Sequence, residues 1–204
     1  MSDEAQSHFY MPGATTIGLV FDEGIVLASE KRVTYGSMVM SKTGKKVFKI
    51  TDKIGAACAG LVSDMQILTR EVEAQAKLFA LDAKRSMTVK AAAKVMSNVL
   101  FNRRMIPLII QTIVGGIDDD GPALYVLDVL GSLLPDKYAA VGSGAQMATG
   151  VLEQGYNKKM TLQDAKNLVL KAIKSAIRRD VMSGNGIDLL IITKDGITEN
   201  TIDF

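Results

Sequence analysis

The side chains that could carry out covalent chemistry are few in this sequence, and they exclude two common devices. The 204 residues contain one histidine, His8, and one cysteine, Cys58. Since His8 stands in the polar stretch before the first apolar segment, a Ser-His-Asp or Cys-His arrangement in the body of the protein is impossible. Histidine-based zinc sites are excluded for the same reason, and a lone cysteine cannot replace them. No metal site is expected.

Two stretches combine small residues with hydroxyl groups. Residues 13–18 read Gly-Ala-Thr-Thr-Ile-Gly, directly after the polar leader. Residues 142–150 read Gly-Ser-Gly-Ala-Gln-Met-Ala-Thr-Gly, which invites comparison with a phosphate-binding loop. Such a loop needs Gly-x-Gly-x-x-Gly spacing or a Lys-Ser/Thr ending, and this stretch has neither. A nucleotide site is therefore not expected there.

Composition limits the classes of partner and the compartment. The 24 Lys+Arg and 22 Asp+Glu leave a formal charge of +2, too weak to favour nucleic acid or a membrane surface as partner. One cysteine excludes an internal disulfide and fits a reducing, cytoplasmic location. The leader lacks the pattern of a secretory signal, and no run of about 18 apolar residues exists to span a membrane. We expect a leader over residues 1–13 and one domain over residues 14–204.

Hydrophobic patterning predicts the elements and their layers. The predicted strands cover residues 15–21, 25–29, 46–50, 54–60, 108–117, 123–127, 132–134, 138–141, 186–193 and 196–202. The predicted helices cover residues 61–81, 88–102 and 142–155, and a last one begins at Thr161, which forms a capping-box pattern with Asp164. Strands clustered between helix pairs favour the α+β class, with two antiparallel sheets stacked between two helical layers. This is a four-layer αββα sandwich.

Seven motifs carry a resemblance to a known family. In chain order they are GATTIGLVFDEGIVLASEKRVTYG, SKTGKKVFKI, AGLVSDMQ, VGGID, AVGSGA, GVLEQGY and RRDVMSGNGID. Together they resemble the β subunits of the archaeal-type proteasome core particle, which belong to the N-terminal nucleophile hydrolases. The resemblance runs from Gly13 to about Ile202 and implies the αββα fold. It also implies stacked heptameric rings of α and β subunits, a regulatory ATPase acting through the α ring, and unfolded polypeptides as substrates.

The resemblance implies a threonine peptidase whose nucleophile is missing here. In the family a propeptide is cut after a glycine, and the new N-terminal threonine attacks the scissile carbonyl with its own α-amine as base, so no cofactor or metal is needed. The family pattern is Gly-Thr-Thr-Thr-Val-Gly, and here Ala14 follows Gly13 at the cleavage site. Glu30 and Lys46 lie 16 and 32 residues after Ala14, the spacings of the family's acidic and lysine partners. Moving the register to Thr15 would turn the side chain to the opposite face of the strand.

The residues that support catalysis in the family all have matches in this chain. Lys46 matches the lysine that lowers the pKa of the nucleophile, and Glu30 its ion-pair partner. Gly60 matches the glycine whose N–H faces the developing oxyanion. The set that holds the α-amine is Ser143, Asp180 and Ser183. Without the resemblance, Lys46 reads as a strand-face lysine in a basic cluster, and the others as ordinary strand-end, turn, helix-end and loop residues.

The resemblance also gives a specificity pocket. The residues at its lining positions are Val33, Gly44, Phe48, Cys58 and Val62. None of them is charged, so the implied preference is for an apolar residue before the cut. Plain core packing is the alternative interpretation for each of them.

Three functional hypotheses remain open from the sequence. The first is an active threonine peptidase arrested as an unprocessed precursor by Ala14. The second is a naturally non-catalytic β subunit that shares rings with an active paralogue. Retention of every supporting residue favours the first. An α-type ring subunit is disfavoured, because residues 1–13 are too short for the helical extension of that class.

Overall fold

The computed structural model describes residues 13–203, so residues 1–12 and Phe204 lie outside it. The expected leader, with His8, falls outside the described residues except for Gly13. Within the described part, the secondary structure follows the predicted order of strands and helix pairs. No helix in residues 13–203 combines the length and the apolar character needed to cross a lipid bilayer.

The element bounds define the labels used below. In chain order the strands are β1 (Thr16–Phe21), β2 (Gly24–Glu30), β3 (Val33–Tyr35), β4 (Met38–Ser41), β5 (Val47–Lys49), β6 (Ile54–Gly60), β7 (Ile110–Asp118), β8 (Gly121–Leu127), β9 (Leu134–Asp136), β10 (Tyr138–Val141), β11 (Ile187–Thr193) and β12 (Gly196–Ile202). The helices are α1 (Val62–Ala83), α2 (Val89–Asn102), α3 (Ala145–Gly155) and α4 (Leu162–Ile177).

Two antiparallel sheets form the centre of the molecule. In the described residues the first sheet has the order β10-β1-β2-β11-β12, and the second has the order β5-β6-β7-β8-β9. Three clusters of buried apolar residues fill the spaces between the layers. One lies between the two sheets, one between the second sheet and α1 and α2, and one between the first sheet and α3 and α4. The predicted α+β sandwich of four αββα layers is confirmed.

Local signals explain two helix starts. The side chain of Thr161 accepts a hydrogen bond from the N–H of Asp164, and the Asp164 carboxylate accepts one from the N–H of Thr161. This is the predicted capping box, which satisfies two backbone donors at the start of α4. Thr88 caps α2 by accepting from the N–H of Ala91, so α2 itself begins one residue later than predicted.

Some predicted boundaries were wrong. The β3–β4 hairpin was not predicted, because residues 33–41 mix polar and apolar side chains and most of them are exposed. A strand at 132–134 was also misplaced, since β9 covers residues 134–136. There, Asp128 accepts hydrogen bonds from the N–H groups of Leu130 and Ser132, which forms a turn in place of the start of a strand.

Candidate active site

Antiparallel pairing brings the predicted site residues to one end of the sandwich. At this end Thr16 pairs with Ser29 and with Val141, and Ile187 pairs with Glu30. The start of β1, the end of β2, the end of β10 and the start of β11 therefore meet. The predicted site residues that stand at these and neighbouring strand ends are Ala14, Glu30, Lys46, Gly60, Ser143, Asp180 and Ser183.

The second sheet is tied to the first at the same end. The Thr16 hydroxyl, in the first sheet, donates a hydrogen bond to the carbonyl of Cys58 over 2.9 Å. The N–H of Cys58 donates in turn to the carbonyl of Lys46 over 2.9 Å. These two bonds fix the backbone of Lys46 relative to β1.

Lys46 and Glu30 form an ion pair inside the protein. Their side chains are 2% and 0% exposed, and the Lys46 Nζ donates to Glu30 Oε1. Nζ also donates to the carbonyl of Arg32 over 2.6 Å. The second carboxylate oxygen, Oε2, accepts from the N–H of Arg32 at 2.7 Å and of Gly184 at 3.0 Å. The predicted pairing of Glu30 with Lys46 is present in the structure.

Burial shifts the pKa values of the two groups toward each other. Desolvation raises the pKa of the Glu30 carboxyl, and the charge and hydrogen bond of Lys46 oppose that shift. Desolvation lowers the pKa of the Lys46 ammonium, while the charges of Glu30 and Asp180 oppose the shift. The negative charges of Glu30 and Asp180 therefore favour the charged form of Lys46, which is the form that can lower the pKa of a neighbouring hydroxyl.

Asp180 organises the hydroxyl groups around position 14. Its Oδ2 accepts hydrogen bonds from Ser143 Oγ and Ser183 Oγ, each at 2.6 Å. A serine hydroxyl has one proton to donate, and in both serines that proton goes to Asp180. Each serine oxygen can therefore only accept in its other hydrogen bonds. Ser143 Oγ then accepts from the N–H of Ala14 at 3.2 Å, and Ser183 Oγ accepts from the Thr15 hydroxyl at 2.7 Å.

This network refines the expected amine-holding set. Ser143 contacts the nitrogen of residue 14 directly, and Asp180 orients Ser143. Ser183 contacts the side chain of Thr15 and not that nitrogen. Of the three residues, Ser143 and Asp180 therefore bind or orient groups at residue 14, whereas Ser183 binds residue 15.

Arg32 holds the loop that supplies Asp180 and Ser183. Its Nη1 donates to the carbonyl of Val181 at 2.7 Å, and its Nε donates to Asn185 Oδ1 at 2.9 Å. The guanidinium packs so closely on Gly184 that a Cβ there would lie 2.3 Å from Nη2. Sequence reasoning gave no role to Arg32 or Gly184, and it considered Thr15 only as an alternative nucleophile. The one available signal was the position of Arg32 two residues after Glu30.

A cavity of about 280 Å³ opens beside the ion pair. Its lining residues are Gly13, Arg32, Val33, Thr34, Tyr35, Met40, Lys46, Gly60, Leu61, Val62 and Ser63. Of the predicted pocket residues, Val33 and Val62 line it. Gly60 adopts φ +139°, and a Cβ there would lie 2.1 Å from the carbonyl oxygen of Ile109, so only glycine fits.

The cavity does not reach Gly44, Phe48 or Cys58. Gly44 packs against Val33, which lines the cavity, and a Cβ on Gly44 would lie 2.3 Å from Val33 Cγ2. Phe48 and Cys58 face the helical layer and pack in the core beneath α1 and α2. Their neighbours Val47 and Ala57 face the other sheet, as strand alternation requires.

Comparison with known proteins identifies the family. The family model described as "Proteasome subunit" matches residues 11–192. The chain belongs to the proteasome subunit family. It is 52% identical over 192 residues to "Proteasome subunit beta 1" of Nitrosopumilus maritimus (strain SCM1), which covers 94% of this chain and 96% of the relative. It is 47% identical over 202 residues to "Proteasome subunit beta 2" of Caldivirga maquilingensis (strain ATCC 700844 / DSM 13496 / JCM 10307 / IC-167), with 99% of each chain covered.

The family resemblance read from the motifs is thereby confirmed, and proteasome β subunits are in general threonine peptidases. Within residues 13–203 of this proteasome subunit, no three His, Cys, Asp or Glu side chains converge as metal ligands. The site consists of one ion pair, a carboxylate with two serines, and backbone groups around an alanine.

Proposed function

We propose that the chain is a β subunit of the proteasome core particle, with a threonine peptidase site arrested by Ala14. The observation that carries the proposal is the buried Lys46–Glu30 pair beside position 14, with Ser143 bonded to the nitrogen of that residue. A buried ion pair costs several kcal/mol of desolvation for each ion, so a gain in protein stability does not explain why the pair is present. Its retention next to an alanine is better explained by a site built for a hydroxyl.

The proposal gives each group a step in the family's chemistry. With threonine at position 14, Lys46 would lower the pKa of the hydroxyl, and Glu30 would hold the lysine in place. After cleavage at Gly13, the nitrogen that now donates to Ser143 would become the α-amine, which serves as the base. The N–H of Gly60 would stabilise the oxyanion. The cavity lined by Val33 and Val62 would accept an apolar residue before the cut.

The partners follow from the family. The subunit would assemble with α subunits and other β subunits in stacked heptameric rings, in the cytoplasm. Since nothing in the sequence resembles a nucleotide site, an ATPase acting through the α ring would unfold the polypeptide substrates. Because Ala14 lacks a hydroxyl, the chain would keep residues 1–13 as an uncleaved propeptide.

A second candidate is a naturally non-catalytic β subunit that shares rings with an active paralogue. The observation that favours it lies in the relatives' printed names, which distinguish a "beta 1" from a "beta 2" subunit. A species with two β subunits could keep one of them for assembly alone. The two candidates predict opposite behaviour once the hydroxyl is restored.

The deciding experiment is the Ala14→Thr variant, co-expressed with α subunits. Its intact mass reports loss of residues 1–13, and a fluorogenic peptide with an apolar residue before the cut reports turnover. Ala14→Val is the matched control, because valine has the shape of threonine without its hydroxyl. Self-cleavage and turnover in the threonine variant alone would support the arrested peptidase. An intact, inactive threonine variant in well-formed rings would contradict it and support the non-catalytic subunit.

A further inference from the structure

Met182 lies in the loop between α4 and β11, close to the cleavage position at Gly13. Its N–H donates to Asp180 Oδ1 at 3.1 Å. Its sulfur accepts a hydrogen bond from the Thr34 hydroxyl over 3.1 Å. Thr34 is buried on β3 and lines the cavity. Met182 is thus anchored at one end by the loop after α4 and at the other by β3.

The chain before Ala14 passes directly against this side chain. A Cβ built on Gly13 would lie 2.1 Å from Met182 Cβ, 2.4 Å from Met182 Cγ and 2.7 Å from Ser143 Oγ. Real Cβ atoms do not approach other atoms so closely, so Gly13 fits only because it has no side chain. Gly13 is confined by Met182 and Ser143, and Ser143 also bonds the nitrogen of Ala14.

We propose that Met182 is a positioning residue for the Gly13–Ala14 peptide bond. It would hold the Gly13 carbonyl within reach of the side chain of residue 14, while Ser143 binds the nitrogen of the same peptide bond. A misplacement of about 1 Å between reacting groups costs on the order of 10²-fold in rate. An unbranched, flexible methionine suits this gap, because it fills irregular space without a fixed shape.

The inference rests on the proposed function, and it makes a separate claim. Met182 would act on the self-cleavage that removes residues 1–13. After cleavage Gly13 is gone, so Met182 would touch the turnover of substrates only indirectly, through Thr34 on the cavity wall. A merely structural methionine would affect both reactions alike, because it would disturb the loop that carries Asp180 and Ser183.

The test compares Met182→Ala with Met182→Leu in the Ala14→Thr background. The rate of self-cleavage is followed by intact mass. Peptide turnover is measured on chains in which removal of a cleavable fusion partner makes the substituted residue 14 the N-terminus. We expect Met182→Ala to slow self-cleavage by about tenfold or more, with turnover within about twofold and with Met182→Leu close to its parent. Equal self-cleavage rates in the two variants, or a parallel loss of turnover, would overturn the inference.

A second measurement works without any chemistry at position 14. In the chain as it stands, hydrogen exchange of the Ala14 amide reports how firmly the Gly13–Ala14 bond is held. Met182→Ala should speed this exchange by about tenfold relative to Met182→Leu, since the confining side chain is lost. Unchanged exchange would refute a positioning role. Failure of Ala14→Thr to cleave itself would count against the proposed function, while the exchange result would still decide the role of Met182.

Discussion

The Lys46 ammonium and the Glu30 carboxylate meet in the interior of the protein, where neither side chain has appreciable contact with water. The lysine comes from the segment before β5 in the second sheet, and the glutamate from the end of β2 in the first. The pair therefore joins the two sheets at the edge where β1 begins. Since burial penalises both charges, the free energy of unfolding depends strongly on whether each charge keeps its partner.

Removal of one partner should be far more damaging than removal of both. Lys46→Met leaves the Glu30 carboxylate buried without its cation, and Glu30→Gln leaves the ammonium without its anion. Each single change should lower the free energy of unfolding by about 3–5 kcal/mol. The double variant, in which neither charge is left buried without its partner, should lose less than either single variant. Denaturant unfolding of the four proteins measures this, and additive losses would show that the two charges are not coupled.

The loss in Lys46→Met should depend on pH. Without the lysine, burial still raises the pKa of Glu30 above its ordinary value of 4.5. A carboxyl with a raised native pKa contributes stability that is present below 4.5 and is lost as pH rises through the native pKa. The variant should therefore approach the parent in stability near pH 4 and fall behind it toward neutral pH. Unfolding curves from about pH 4 to pH 8 test the sign, and a constant difference would contradict it.

Cys58 should be inert in the folded protein. Its side chain is fully buried, and desolvation raises the pKa of the thiol to about 12. The thiolate is the reactive form, so labelling by a maleimide at pH 8 should be negligible in buffer and complete in denaturant. Mass spectrometry distinguishes the two results. Rapid labelling of the native chain would show that the core beneath α1 opens on the timescale of the reaction.

Gly60→Ala should destabilise the strand end that leads into α1. The backbone there has φ +139°, and the new methyl group would collide with the carbonyl of Ile109. Strained backbone of this kind costs about 1–3 kcal/mol, and the steric clash adds to that cost. Thermal unfolding against Gly150→Ala provides the control, because a Cβ on Gly150 in α3 meets nothing within 4 Å. Equal melting temperatures for the two variants would contradict this account.

The sequence contained most of the information about layers and family. Alternating and helical apolar spacing placed the strands and helices, because those periods match the faces that must be buried. The capping pattern at Thr161 was also readable, since its hydrogen bonds join residues three positions apart. The β3–β4 hairpin was not readable, because its exposed side chains leave no periodic signal.

The sequence by itself showed that Ala14 supplies no hydroxyl, and it predicted the ion pair beside it. It gave no role to Arg32, and it placed Phe48 and Cys58 in a pocket that they do not line. Only the tertiary structure decided which hydrogen-bond partner each of these groups has. Whether Ser183 binds residue 14 or residue 15 depends on hydrogen bonds between residues far apart in the chain. These bonds follow from the way the sheets stack. The same holds for Arg32 and Met182, whose partners lie about 150 residues away in the sequence. Contacts of that range depend on the packing of the layers, which no local pattern encodes.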